Sequence, residues 1–204
     1  MDFSAEVRWF FEGPVDPAML RWFGHGDGCV EERRVDEYLV IPECDCVGVK
    51  VRDRDAGERA SLEVKARIGQ AASIGFPGNV RGQAQRWGKW SMPFAAGPEL
   101  TGSERWISLA KVRHSRKLAW IDGVVTEVVF DLRPDAGCIV ELTEVEVSGR
   151  PYWTFGLEAF GEREQVDVQL LGSGRWFFLD NPPERPTLVA DASLPYPAWI
   201  ASLP

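Results

Sequence analysis

The sequence predicts a mainly β protein, an antiparallel sandwich or barrel of about eight strands with a few short helices. Three observations carry this. Short segments alternating apolar and charged residues recur along the chain, the period-two pattern of strands with one buried and one wet face. These segments follow one another at hairpin-like spacing, with Gly, Pro and Asp-Gly steps between them. Few stretches, and only short ones, carry helix signals.

In chain order, Phe3 to Phe11 is the first strand. Phe3, Ala5, Val7 and Trp9 share one side, and Ser4, Glu6, Arg8 and Phe10 the other. Gly13-Pro14 ends it. Asp16 then stands at an N-cap position and Pro17 at the first helical position of a short helix through Phe23. A Gly-rich loop carrying His25 follows. Glu32 to Ile41 is the next strand, with Arg34, Asp36 and Tyr38 opposite Val35, Glu37 and Leu39, and Pro42 stops it.

Val47–Arg54 and Leu62–Arg67 form the most regular pair. Val47, Val49 and Val51 oppose Lys50, Arg52 and Arg54, while Leu62, Val64 and Ala66 oppose Glu63, Lys65 and Arg67. Paired as an antiparallel hairpin, they gather five cations and one carboxylate on one sheet face. The stretch from Ile68 to Leu100 is Gly-rich and reads as a long loop, with a short strand or turn within Val80 to Trp90 and Trp87 and Trp90 as its packing residues. Glu104 to His114 is a strand presenting Lys111 and Arg113, continued through Lys117 and Trp120 after a turn at His114-Ser115. Asp122-Gly123, a dipeptide favoured in tight hairpins, leads into Val124 to Leu132. Cys138 to Val147, Tyr152 to Phe160, Gln165 to Leu170 and Arg175 to Leu179 read as further strands. A Pro-rich tail leaves room for one helix near Ala198 to Ser202.

Composition excludes some functions. Net charge is −8, which argues against general affinity for a nucleic acid duplex or an anionic membrane. The start, Met-Asp-Phe-Ser-Ala-Glu, carries no basic region before an apolar run, and no stretch has the length to span a bilayer. Cys44 and Cys46 form a Cys-x-Cys without a second pair at zinc spacing, so the four cysteines read as reduced structural thiols. The expectation is one cytoplasmic domain over residues 1–204.

In an open sandwich the recurring charges face water. In a closed barrel the same alternation places them inside. Such a lumen presents clustered cations to a polyanion and clustered carboxylates to a hard divalent cation.

This layout resembles the CYTH superfamily, the triphosphate tunnel metalloenzymes that include thiamine triphosphatases, inorganic triphosphatases and one class of adenylyl cyclase. Ser4-Ala-Glu6-Val-Arg8 stands where the family has Glu-x-Glu-x-Lys, and Tyr38-Leu-Val-Ile-Pro42 is similar to its aromatic strand ending near proline. Val49-Lys-Val-Arg52 resembles the Leu-Arg-x-Arg strand, Leu62-Glu-Val-Lys65 the Thr-x-Lys strand, and Lys111-Val-Arg113 a later Lys-x-Arg. Glu141-Leu-Thr-Glu144-Val-Glu146 resembles the late Glu-x-Glu strand, and Ser193 to Ile200 the terminal Ser-Tyr segment.

The resemblance implies a single eight-stranded barrel or tunnel whose lumen takes a triphosphate, polyphosphate or other phosphorylated small molecule. Arg8, Lys50, Arg52, Lys65, Arg67, Lys111 and Arg113 would hold phosphate oxygens. Glu6, Glu63, Glu144 and Glu146 would bind Mg²⁺ or Mn²⁺, and an enzyme of this kind would be a metal-dependent phosphohydrolase acting on phosphoanhydrides. Two departures bear on this. Ser4 replaces the first glutamate of the opening motif and Arg8 its lysine. The late strand can present either Glu141 with Thr143 or Glu144 with Glu146, since a shift of one residue exchanges the faces. A chain that keeps the cations but loses carboxylates binds a polyphosphate better than it cleaves one. The alternatives are a non-catalytic nucleotide- or polyphosphate-binding or protein-interaction module on the same barrel, and a lipocalin-like protein with an apolar, aromatic-lined pocket.

Overall fold

A computed structural model describes residues 1–24, 28–52, 60–93, 104–179, 182–183 and 186–204. Its strands are β1 (Asp2–Glu12), β2 (Val30–Leu39), β3 (Val47–Arg52), β4 (Ser61–Phe76), β5 (Val80–Pro93), β6 (Trp106–Ile121), β7 (Val124–Val128), β8 (Gly137–Val147) and β9 (Arg150–Phe160). The helices are α1 (Pro17–Phe23), α2 (Val166–Phe178) and α3 (Tyr196–Ala201). Eight strands run in the order β2-β3-β4-β5-β1-β9-β8-β6, and β6 returns to pair with β2 from Val30↔Ser115 to Leu39↔Trp106. Every pairing is antiparallel, so the sheet closes into a barrel, while β7 extends only the far end of β6. Closure removes the exposed edges that an open sheet would carry.

The period-two alternation now separates inside from outside. The outer faces of β1, β8 and β9 (Ala5, Val7 and Trp9; Val140 and Leu142; Trp153, Phe155 and Leu157) are buried beneath α1 and α2. Trp9 is fully buried and donates from Nε1 to the Arg81 carbonyl at 2.8 Å. A second core lies inside the barrel at one end, where Phe10, Tyr38, Leu109, Val145 and Tyr152 meet Trp199 and Ile200 of α3. Trp199 stacks on Phe10 with ring centroids 4.5 Å apart. The lumen is therefore apolar at this end and charged above it. A short helix, too weak to stand alone, is held there by its aromatic contacts.

Several elements fall where the alternation and capping signals put them. Asp16 caps α1 by accepting from Ala18 N at 2.7 Å. Asp122 and Gly123 turn the β6–β7 hairpin with φ of 50° and 79°. The β3–β4 hairpin forms with Lys50 opposite Glu63. Arg54, the 53–59 linker, His25 and residues 94–103 of the expected loop lie outside the described residues.

Three expectations need correction. The stretch after Ile68 is a long hairpin, β4 paired to β5 from Ser61↔Pro93 to Phe76↔Val80, with a register shift between Ile68 and Ala72. Gly82 serves packing, since a side chain there would come within 2.5 Å of Val7 and 2.8 Å of Trp9. Strand β6 runs through His114-Ser115 without a turn. The two strands expected over Gln165–Leu179 are one helix, α2. Its buried residues, Val166, Gln169, Leu170, Ser173, Gly174, Phe177 and Phe178, follow helical spacing. Gly172 and Gly174 lower helix propensity, but a Cβ there would lie 2.4 Å from Trp120 and 2.2 Å from Phe76 respectively.

Candidate functional site

Above the inner core, the lumen holds a cavity of about 120 Å³ walled by alternate residues of every barrel strand. Strand β1 contributes Glu6 and Arg8, β2 Arg34 and Tyr38, β3 Lys50 and Arg52, and β4 Glu63 and Lys65. Strand β5 adds Gln85, Trp87 and Lys89, β6 Lys111 and Arg113, β8 Glu141, and β9 Glu158. Leu194 to Pro197 and Ile200 contribute from the C-terminal segment. Asp36 lies fully buried beneath Lys50 and Lys111. Among the described residues the lining thus has eight cations against four carboxylates, or five with Asp36.

These charges form four groups. Asp36 meets Lys111 Nζ at 2.9 Å, Arg34 Nε at 3.3 Å and Lys50 Nζ at 3.8 Å. Lys111 also donates to the Tyr38 hydroxyl at 2.7 Å and lies over the Tyr38 and Tyr196 rings, 4.6 and 4.5 Å from their centroids. Glu63 takes Lys50 at 3.0 Å and Arg52 at 3.2 Å. Glu141 binds Arg8 at 2.9 Å and also Arg113, whose other Nη reaches Glu32 at 2.6 Å. Lys65 stands between two carboxylates, Glu6 and Glu158, the latter at 2.9 Å. Glu6 and Glu158 are register partners across β1 and β9, and Ser4 donates to Glu6 at 3.2 Å.

The groups shift one another's titration. Burial opposes ionisation of Asp36, but Lys111, Lys50 and Arg34 override it and hold the carboxyl far below its ordinary range. Burial pushes Lys50 and Lys111 down from 10.5 to about 7, with Asp36 pulling the other way. Burial and the facing Glu158 raise Glu6. Burial acts against the charge on Lys65 too, yet Glu158 and Glu6 prevail and push it above its ordinary value.

A pH dependence follows. Lys50 and Lys111 have folded values below their unfolded ones, so the penalty for burying them charged is fully present below pH 7. Between about 7 and 10.5 the unfolded chain binds more protons, and stability rises with pH. The expected rise is at most about 1.4 kcal/mol per pH unit for each lysine, read as the urea midpoint from pH 7 to 9. Lys111→Met should flatten it, whereas a midpoint that falls across this range contradicts the assignment.

Of the residues singled out from sequence, Arg8, Lys50, Arg52, Lys65, Lys111, Arg113, Glu6 and Glu63 all face the cavity. Arg67 does not line it; it pairs with Asp45 at 2.6 and 3.0 Å. The late strand takes the register with Glu141 and Thr143 inward. Glu144 therefore lies outside, 3.5 Å from His114, and Glu146 is exposed on the same outer face. Trp87 is buried in the wall and Trp90 points outward, 42% exposed. Sequence reasoning missed Arg34, Asp36, Lys89 and Glu158. The first two stand on one face of β2 in plain alternation, whereas Glu158 is hidden in a strand buried on both faces.

The residues present do not fit a resident Mg²⁺ or Mn²⁺. Each lumen carboxylate is already engaged by a lysine or arginine, and the one facing pair, Glu6 and Glu158, has the Lys65 ammonium between its oxygens. Among the described residues no three of His, Cys, Asp and Glu gather at one point.

Fold and site together define a closed antiparallel barrel with a cation-rich, internally ion-paired lumen. Among solved structures, the chain is similar to the RNA triphosphatase domain of a mimivirus mRNA capping enzyme, at 16% identity and a TM-score of 0.43, over 87% of this chain and 90% of that one. It is also similar to a conserved hypothetical protein from Pyrococcus furiosus, at 13% identity and 0.43, over 81% and 85%. Schizosaccharomyces pombe Pct1 RNA triphosphatase matches at 10% identity and 0.39, over 82% and 75%. No protein-family model matches the chain, and no curated protein does. At these identities and TM-scores, function has to be read from the side chains of this chain itself. No helix among the described residues is long and apolar enough to cross a membrane.

Proposed function

We propose that residues 1–204 act as one binding unit whose lumen takes a phosphorylated anion of the triphosphate or polyphosphate class, and that binding rather than metal-dependent hydrolysis is its activity. The observation that carries this is the excess of cations over carboxylates around the lumen cavity. A buried surplus of positive charge is costly unless an anion compensates it. Arg8 supports the same reading, since its buried Nε and Nη1 have no hydrogen-bond partner among the described residues. Lys89 lines the same wall, where its charge acts on Glu63 and Glu158 and adds to the positive field of the lumen. A mostly charged lining favours this reading over a lipocalin-like apolar pocket. The unbridged cysteines suit a reducing, cytoplasmic setting.

Arg52→Met and Arg113→Met are suitable probes, because Glu63 keeps Lys50 and Glu141 keeps Arg8. Tripolyphosphate is expected to raise the melting temperature, and each substitution to weaken its binding by about 10- to 100-fold. Calorimetry near pH 8 in buffers of different ionisation enthalpy should show proton uptake, as the anion returns Lys50 and Lys111 to the charged form. No stabilisation by tripolyphosphate refutes the reading. Phosphate release well above background with Mg²⁺ or Mn²⁺ refutes its non-catalytic half.

A further inference from the structure

The connection from β2 to β3 carries Cys44 and Cys46 with their sulfurs 3.8 Å apart. The backbone bends at Asp45 and Cys46, ahead of β3, and the two side chains lie on the same side of this bend. The bend is fastened on both sides. Cys44 N donates to Ile41 O at 3.3 Å, and Arg67 N to Cys46 O at 2.8 Å. The Arg67 guanidinium grips Asp45, the residue between the cysteines, at 2.6 and 3.0 Å. Both thiols are free and partly exposed, outside the charged lumen.

A tetrahedral ion bound to sulfur at about 2.3 Å sets two thiolates about 3.8 Å apart. We propose that Cys44 and Cys46 are a site for a thiophilic divalent cation of the zinc class, with the protein filling two coordination positions. Soft sulfur ligands select such ions over Mg²⁺ or Ca²⁺. Among the described residues no further His, Cys, Asp or Glu joins the pair, so solvent or a small ligand takes the other positions. That distinguishes the site from a closed structural zinc centre: it loads and unloads without unfolding the barrel. The anion reading of the lumen is not needed for it.

The test titrates the reduced protein with Cd²⁺, a spectroscopic stand-in for Zn²⁺. A thiolate-to-metal charge-transfer band should grow in the ultraviolet and saturate at one ion per chain. A large excess of Zn²⁺ should suppress the band and the same excess of Mg²⁺ should not. Cys44→Ser and Cys46→Ser should each lose it, while Cys29→Ser, at another partly exposed thiol, should keep it. Circular dichroism of the variants verifies that the fold is intact. A wild-type protein with no band overturns the assignment, as does a band that survives both substitutions.

Discussion

Replacing Asp36 with asparagine is expected to cost about 3–5 kcal/mol of stability. For a chain of this size that corresponds to a fall in Tm of roughly 6–20 °C. Asp36 is fully buried and compensates Lys111, Arg34 and Lys50 together. Asparagine keeps the shape and loses the charge, which leaves Lys111 with the Tyr38 hydroxyl and two aromatic faces as its partners. The sign with pH is also fixed. With the aspartate gone, both lysines give up protons more readily, so the deficit should shrink as pH rises toward about 7 and level off above it, where both folded proteins hold these lysines neutral. Tripolyphosphate should stabilise the variant more than the wild type, because the variant has one more uncompensated cation to satisfy. Urea midpoints with and without the anion measure both effects. A deficit below about 1 kcal/mol would mean that water reaches Asp36 and already screens its partners.

Gly156→Ala is expected to do the reverse, leaving stability nearly unchanged and removing much of the binding. A Cβ at Gly156 would lie 2.7 Å from Arg8 Cζ and 3.0 Å from both Nε and Nη2. The obstacle is the far end of a flexible side chain, so Arg8 swings off β9 at small cost while the strand itself accepts alanine readily. Arg8 then loses Glu141, which retains Arg113, and its two unpartnered N–H donors turn away from the cavity. Affinity for tripolyphosphate should fall about 10- to 100-fold, the size of one or two charge-assisted hydrogen bonds. An intact variant with unchanged affinity would remove Arg8 from the binding site. If the variant is unstable, Arg8→Lys, which keeps the charge and loses the fork, asks the same question.

Much of this barrel is legible in its sequence, because alternation separates two faces of a strand without any knowledge of the fold. Lys50, Arg52, Lys65, Lys111 and Arg113 are read correctly as one face of their strands, and that face lines the cavity. Alternation does not say which face is inside, nor how strands far apart align. The late strand shows the limit. Glu141, Glu144 and Glu146 are equivalent in composition, and one residue of register puts the first in the lumen and the others outside. Arg67 has the right parity but stands just before the register shift in β4, within reach of Asp45. Glycine misled in the β4–β5 hairpin. At Gly82 it makes room for neighbouring side chains, whereas in a sequence it signals a loop or a break. Asp36 falls on the correct face of β2 by alternation, yet a lone acid among cations gives no sign that it will become their shared partner.

The position of β1 ties the barrel's closure to contacts distant in sequence. β1 pairs with β5 on one side and β9 on the other, so Ser4 waits for both Trp87 and Phe160. The remaining seam likewise joins Val30 to Ser115. No run of consecutive hairpins encloses the lumen, and both closures span long loops whose entropy is lost before their contacts form. Until then the charged walls stay hydrated. Ion pairs across the lumen, such as Arg8 of β1 with Glu141 of β8 and Lys65 of β4 with Glu158 of β9, therefore depend on these long-range pairings being in place.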